Sequence, residues 1–224
     1  MANPPPDRRM IPASALLGTC GATTRLGRSS FNRPTLTVAR DLLGKFIVRR
    51  HRGRCLSAMI TEVEAYRGPH DLASHARGGR RTPRVEPLYA DGGTVYVYLV
   101  YGMHWLLNFS TAGEGKPEGV LVRGVLAGPS GSPVLVVGPG RVSRHLVVDK
   151  RLDGVDLTTS EQIWLEDRGA GIPAGLVHKG PRVGIHYAGA HWAARPWRFW
   201  IAVDPGRRTG NRPGTIAGSE LRVE

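Results

Sequence analysis

Two glutamates and a tyrosine alternate within one short segment, TEVEAY, at residues 61–66. Side chains alternate along a strand, so a strand here places Glu62, Glu64 and Tyr66 on one face. Two carboxylates are costly to bury unless something pairs with them or uses them. One of the two is therefore a candidate general base, and a solvated strand face is the alternative.

An arginine- and glycine-rich stretch, HARGGRRTPR, follows at residues 75–84. Guanidinium groups match phosphate oxygens in pairs, and glycines let backbone amides approach a ligand closely. In a strongly basic chain this composition predicts a phosphate-binding loop, to which Arg77, Arg80 and Arg84 contribute. A solvated basic loop is the alternative.

A third stretch, YVYLVYGMHW at residues 96–105, is dominated by aromatic side chains. Most of these are compatible with ordinary strand packing. Tyr101 stands beside Gly102 at a predicted hairpin tip, where an aromatic side chain can wedge open a base step from the minor groove. Tyr98 offers a flat face on which an extruded base can stack.

The overall charge agrees with a polyanionic partner. The chain has 224 residues, and its 31 Lys+Arg against 18 Asp+Glu give a net charge of +13. Nucleic acid is the first expectation, an anionic membrane surface the second, and a basic surface on some other enzyme the third. No apolar run approaches the roughly 20 residues of a membrane helix. The two cysteines form no framework, so we expect a soluble intracellular protein of the cytoplasm or nucleoid, or of the nucleus in a eukaryote.

No segment indicates a metal or cofactor. GAGIPA at residues 169–174 imitates a dinucleotide-binding motif, but its proline and the missing helical period break the required context. The histidine pairs five residues apart lack a glutamate or cysteine at zinc-binding spacing. We expect no metal and no cofactor.

The elements around these segments predict one α+β domain, with a curved, mainly antiparallel sheet, flanking helices and a protruding hairpin. We expect a flexible basic leader over 1–25, the domain over 26–203 and a loose tail over 204–224. A helix is predicted from Thr37 and another within 138–146, while residues 67–93 show no clean helix or strand. Predicted strands are 45–50, 56–66, 94–100, 105–110, 119–126, 134–137, 163–165, 182–185 and 198–203.

Four motifs together resemble the alkyladenine (3-methyladenine) DNA glycosylase family. They are TEVEAYRGPHDLASHARGGRRTPR (61–84), GGTVYVYLVYGMHWLLN (92–108), GVLVR (119–123) and GPGR (138–141), and weaker similarity spans about residues 26–203. The resemblance implies a single mixed α/β domain whose β-hairpin enters the minor groove and flips a nucleotide.

The resemblance also implies a role for each matching position. Glu64 would be the general base, and Arg123 would help it hold the catalytic water. The pocket for the damaged base would comprise Tyr66, His75, Tyr98, Asn108 and Leu121. Tyr101 would be the wedge, and the loop and hairpin residues that contact DNA would be Arg77, Arg80, Thr82, Arg84 and Met103.

The implied activity is hydrolytic excision of alkylated or deaminated purines from double-stranded DNA by a monomer. The motif segments 61–84, 92–108 and 119–123 contain no lysine, so a Schiff-base lyase step is not expected. The loop at 113–118 and the ending after residue 205 depart from the family pattern. A non-catalytic basic module that binds DNA or RNA is the first alternative, and the same hydrolytic chemistry on RNA is the second.

Overall fold

The computed structural model describes residues 10–13, 23–129 and 132–204. The strands are β1 (Ile11–Pro12), β2 (Thr24–Arg25), β3 (Phe46–His51), β4 (Arg54–Arg67), β5 (Val95–Val100), β6 (His104–Thr111), β7 (Glu118–Ala127), β8 (Val134–Val137), β9 (Ile163–Asp167), β10 (Val177–Gly180), β11 (Arg198–Ile201) and β12 (Val203–Asp204). The α-helices are α1 (Thr35–Asp41), α2 (Glu86–Tyr89), α3 (Pro139–His145) and α4 (Ala190–Ala193).

Ten of these strands form one antiparallel sheet. Its continuous order is β2-β9-β3-β4-β7-β6-β5, with β11 and β10 added beside β4 and β8 beside β7. The long strand β4 pairs with β3 through its first half and with β11 through Glu62–Glu64, while β7 follows its other edge. The predicted α+β class and the single, mainly antiparallel domain are confirmed.

One face of the sheet is covered by α1 and α3, and the hydrophobic core lies between. Helix α1 buries Val38 and Ala39, and α3 buries Val142. Strand β4 contributes Val63 and Ala65, both fully buried in the same core. Because side chains alternate, the neighbours of these residues on β4 point to the opposite face, where the candidate site lies.

A local irregularity in β4 shapes this opposite face. The pairing of β4 with β7 shifts register on both sides of Glu62, which is opposite Gly124. Such a bulge re-aims side chains beside it. A Cβ on Gly124 would lie 2.9 Å from the Cβ of Glu62, so only glycine permits this close approach of the two strands.

The described structure corrects two predictions of secondary structure. The strand predicted at Arg182–Ile185 is wrong, and β10 ends just before it at Gly180. Pro181 lacks the N–H that a ladder needs, and Arg182 turns inward to bond Asp71 instead. The stretch 67–93, predicted to lack helices, contains α2 and two single 3-10 turns.

Short parts of the predicted leader lie against the domain. Ile11 and Pro12 pair in parallel with β12, and Ala13 joins the core. Thr24 and Arg25 pair with β9. The predicted boundaries at 25 and 203 otherwise stay a prediction, since residues 1–9, 14–22 and 205–224 lie outside the described part of the chain. Within that part, no helix is long and apolar enough to cross a membrane.

Candidate active site

Glu64 is fully buried at the centre of the site. Its Oε1 accepts a hydrogen bond from the backbone N–H of Val183 at 2.7 Å and lies 3.3 Å from Nε of Arg123. Its Oε2 accepts from the hydroxyl of Tyr66 at 2.9 Å. Burial raises the pKa of Glu64, and these three partners oppose that shift without cancelling it. The carboxylate is therefore held in place and is more basic than an exposed glutamate.

Arg123 reaches Glu64 from the neighbouring strand β7. Leu121 is opposite Glu64 in the ladder, so Leu121 and Arg123 lie on the site's side of the sheet. Leu121 is 3% exposed and also pairs with Asn108, but it is not among the residues that line the aromatic cleft.

An aromatic cleft adjoins Glu64. The rings of His75 and Tyr98 meet edge to face at 4.5 Å between centroids, and Tyr96 lies 5.2 Å from Tyr98. The cleft is lined by Tyr66, Ala73, Ser74, His75, Leu88, Tyr96, Tyr98, Asn108, Gly119 and Tyr187. The free space is about 50 Å³, well below the roughly 300–1,000 Å³ of typical ligand pockets. The rings therefore fill the cleft in this conformation.

His75 is neutral at physiological pH. Its Nδ1 is 2.8 Å from the hydroxyl of Tyr96. Burial, reinforced by the positive charges of Arg84, Arg77 and Arg80, lowers the pKa of His75 to about 4. A neutral ring of this kind is a hydrogen-bonding and stacking group, not a cation.

The side chain of Asn108 is fixed at the floor of the cleft. Its Nδ2 donates to the backbone carbonyls of Tyr96 and Leu106, both at 3.2 Å. These bonds orient the carboxamide, so Asn108 presents one defined edge to a ligand in the cleft.

The β5–β6 hairpin carries the predicted wedge at its tip. Tyr101 is 88% exposed, and Met103 is 69% exposed. Tyr101 has φ +53° and the next residue, Gly102, has φ +68°. A tyrosine is rarely found in this left-handed region, and at this turn its ring lies in solvent. Insertion of Tyr101 into DNA stays a prediction.

The arginine-rich loop lies beside this hairpin with its cations in solvent. Arg77, Arg80 and Arg84 are exposed, and Thr82 is half-buried. The hydroxyl of Tyr89 anchors the loop by donating to the carbonyls of Gly79 and Arg80. The loop is thus fixed through its backbone, which leaves the guanidinium groups of Arg77 and Arg80 able to bind anions, while Arg81 is paired with Glu86.

Comparison with known proteins decides the family. The sequence model of methylpurine-DNA glycosylase matches residues 29–205. The chain belongs to this family. A relative from Desulfitobacterium hafniense (strain Y51) is 41% identical over 198 residues, which cover 79% of this chain and 95% of the relative. The DNA-3-methyladenine glycosylase of Homo sapiens is 38% identical over 205 residues, covering 83% of this chain and 68% of the human protein.

Most of the predicted residues of this methylpurine-DNA glycosylase family member come together in the structure. Glu64, Arg123, Tyr66, His75, Tyr98 and Asn108 form one contiguous site, and Leu121 lies beneath it. The exposed residues predicted to contact DNA lie on the hairpin and the arginine-rich loop. Their roles in binding and catalysis stay predictions.

Sequence reasoning missed a second group of residues that supports the site. Arg182 and Asp71 form a fully buried ion pair, and the Arg182 guanidinium lies 4.6 Å from the ring centroid of Tyr66. Tyr187 donates to the carbonyl of Ala73 at the rim of the cleft. Asp71 lies within the motif at 61–84, and residues 180–185 belong to the weaker family similarity, but neither signal indicates that Asp71 and Arg182 pair. Among the described residues, no three His, Cys, Asp or Glu side chains gather as metal ligands.

Proposed function

We propose that this protein is a monofunctional DNA N-glycosylase of base excision repair, which flips alkylated or deaminated purines from duplex DNA and hydrolyses their N-glycosidic bond. The observation that carries this proposal is a buried Glu64, paired with Arg123, at the side of an aromatic cleft. Membership of the methylpurine-DNA glycosylase family and the name of the human relative support it.

In this mechanism Glu64 is the general base. Its carboxylate takes a proton from water as the water oxygen bonds to the sugar C1′, and the bond from C1′ to the purine nitrogen breaks with its electrons leaving on the base. The transition state has oxocarbenium character, which a nearby carboxylate stabilises. The raised pKa of Glu64 brings its basicity closer to neutral pH, where proton transfer from water is more favourable.

The cleft would receive the flipped base between Tyr66, His75 and Tyr98. Because the rings fill the cleft, entry of a purine requires them to separate. Alkylation has already weakened base pairing, so flipping a damaged purine costs less than flipping a normal one. Asn108 would meet the purine edge and disfavour the 2-amino group of normal guanine.

The chain's lysines all fall in the described part of the structure and none lines the cleft, so no lysine amine is positioned there to form a Schiff base with the sugar. Hydrolysis by water would therefore leave an intact abasic site. Double-stranded DNA with damaged purines would be the substrate. One monomer of the protein would bind it through Tyr101, Met103 and the cations of the arginine-rich loop.

Base release from methylated DNA tests this function. The protein is incubated with methylated genomic DNA and with duplexes that each carry one lesion, 3-methyladenine, 7-methylguanine, ethenoadenine or hypoxanthine, and freed bases are identified by mass spectrometry. We expect free modified purine and alkali-sensitive abasic sites, with no strand cleavage before alkali. Salt-sensitive binding without any freed base would instead identify a non-catalytic module that binds nucleic acid.

A further inference from the structure

Glu62, the other carboxylate of the TEVEAY segment, has no role in the mechanism proposed above. Its side chain is 12% exposed, and a single oxygen, Oε1, accepts from Nε of Arg123 at 3.1 Å and from Nη1 of Arg198 at 3.2 Å. A carboxylate this buried is costly, and two guanidinium partners offset the cost. Through these two bonds, Glu62 on β4 links the neighbouring strands β7 and β11.

We propose that Glu62 is a positioning residue that fixes the guanidinium of Arg123 beside Glu64. This inference rests on the proposed function, since it assigns Glu62 a role in the same excision reaction. Glu62 would act only through Arg123 and would touch neither the water nor the DNA.

The bonding pattern of Arg123 supports this role. Its Nε faces both carboxylates, 3.1 Å from Glu62 and 3.3 Å from Glu64. Among the described residues no hydrogen bond is made by either Nη group of Arg123. Fixing the Nε edge of a planar guanidinium sets the direction of both Nη groups, which remain available to the reacting groups.

Two further features hold Glu62 in this place. Arg198 stacks on the ring of Trp200 at 4.4 Å, so the guanidinium on the far side of Glu62 is itself packed. Gly124, opposite Glu62 in the ladder, leaves the space that the Glu62 side chain needs. The bulge, the glycine and the stacked arginine all favour one position of the Glu62 carboxylate.

The charges balance around this position. Glu62 and Glu64 face Arg123 and Arg198, which gives two carboxylates and two guanidinium groups. Without Glu62, Arg123 would be held by Glu64 alone. Its guanidinium would then be drawn fully onto the catalytic carboxylate, which is the group that must accept a proton.

A double-mutant cycle tests the proposal. Single-turnover excision and DNA affinity are measured for the wild type, Glu62→Gln, Arg123→Met and the double variant. We expect Glu62→Gln to lower the excision rate about tenfold while affinity for lesion-bearing duplex changes less than about twofold. In the Arg123→Met background the same change should cost less than about twofold, because residues that act as a unit are not additive.

Glu166→Gln is the matched control. Glu166 also has a mostly buried side chain that binds an arginine, Arg168, but it lies on β9 away from the site. This variant should excise at the wild-type rate. If Glu62→Gln melts well below the wild type, Arg198→Met replaces it in the cycle, since it releases Glu62 from the other side and should show the same dependence on Arg123.

Two results would overturn the role of Glu62. One is a Glu62→Gln variant with an unchanged excision rate. The other is an equal fractional loss in the wild-type and Arg123→Met backgrounds, which a general structural defect would produce. Both presuppose that the wild type releases modified bases, so a failure of the proposed function is recognised separately, by a wild type that frees none.

Discussion

Arg182 donates to both carboxylate oxygens of Asp71, at 2.5 and 2.9 Å, although 111 residues separate them in the chain. Both side chains are fully buried. Asp71 in turn accepts from the backbone N–H groups of Arg67 and Ala73, and so fixes the start of the loop that carries His75. The pair thereby joins that loop to the segment whose Val183 N–H binds Glu64.

Loss of this pair should destabilise the protein strongly. Asp71→Ala leaves a buried guanidinium without its partner, and we expect a loss of about 3–5 kcal/mol in the free energy of unfolding. The control is Asp41→Ala, which breaks the half-exposed pair with Arg33 and should cost less than about 1 kcal/mol. Urea unfolding of both variants measures the difference. Equal losses in the free energy of unfolding would show that the buried pair stabilises the protein no more than the half-exposed pair does.

The raised pKa of Glu64 predicts a stability cost for its charge. The folded state holds the proton more tightly than the unfolded state, so the carboxyl's contribution to stability is present at low pH and is lost as the pH rises through the raised pKa. Glu64→Gln should therefore unfold at higher urea than the wild type near pH 8, with a smaller gap near pH 4.

The opposite sign is expected at Glu86. The hydrogen bond from Arg81 lowers the pKa of that exposed carboxyl, so Glu86→Gln should lose stability relative to the wild type as the pH rises.

A Glu64→Gln variant that is less stable than the wild type at pH 8 would contradict the assignment of a net penalty to the buried charge of Glu64.

Removal of the exposed Tyr101 ring should impair excision without affecting the fold. Tyr101→Ala removes a side chain that makes no core contact, so its melting temperature should match that of the wild type. If the ring fills the gap left by a flipped base, its loss removes about 1–3 kcal/mol of stacking. The excision rate should then fall by the factor that corresponds to this free energy. Tyr101→Phe keeps the ring and should retain most activity. A Tyr101→Ala enzyme with wild-type excision would rule out the wedge.

The arginine-rich loop should contribute to the salt dependence of DNA binding. Each phosphate contact contributes about −0.9 to the slope of log affinity against log salt, so Arg80→Ala should make the slope shallower by about one unit. Arg33→Ala is the control, because Arg33 pairs with Asp41 beside α1, on the opposite face of the sheet. Fluorescence anisotropy at several salt concentrations measures both. An unchanged slope for Arg80→Ala would remove that residue from the phosphate contacts.

The local parts of the site were accessible from sequence. The two-residue alternation of TEVEAY predicted correctly that Glu62, Glu64 and Tyr66 share a face, and Tyr101 beside Gly102 predicted a hairpin tip. Family similarity then supplied Arg123 and Asn108, which periodicity alone would not connect to Glu64.

The non-local parts were not accessible. The ion pair of Arg182 with Asp71 depends on two segments brought together only by the folded sheet, and no local pattern marks an arginine as buried. The bulge beside Glu62 is likewise a property of the β4–β7 pairing, which determines that both glutamates reach one arginine. The strand predicted at Arg182–Ile185 was wrong for the same reason, because the inward ion pair replaced a ladder.

Single-turnover excision by Glu64→Gln tests the central claim most directly. The variant keeps the size of the side chain and, with its carbonyl oxygen in the place of Oε1, the hydrogen bond from Val183. Its amide nitrogen then faces the hydroxyl of Tyr66 in the place of Oε2, and the side chain cannot take a proton from water. We expect release of the modified base to fall by about 10²–10⁴-fold, with affinity for lesion-bearing duplex within a few-fold of the wild type. A Glu64→Gln variant that excises the base at the wild-type rate would contradict this account.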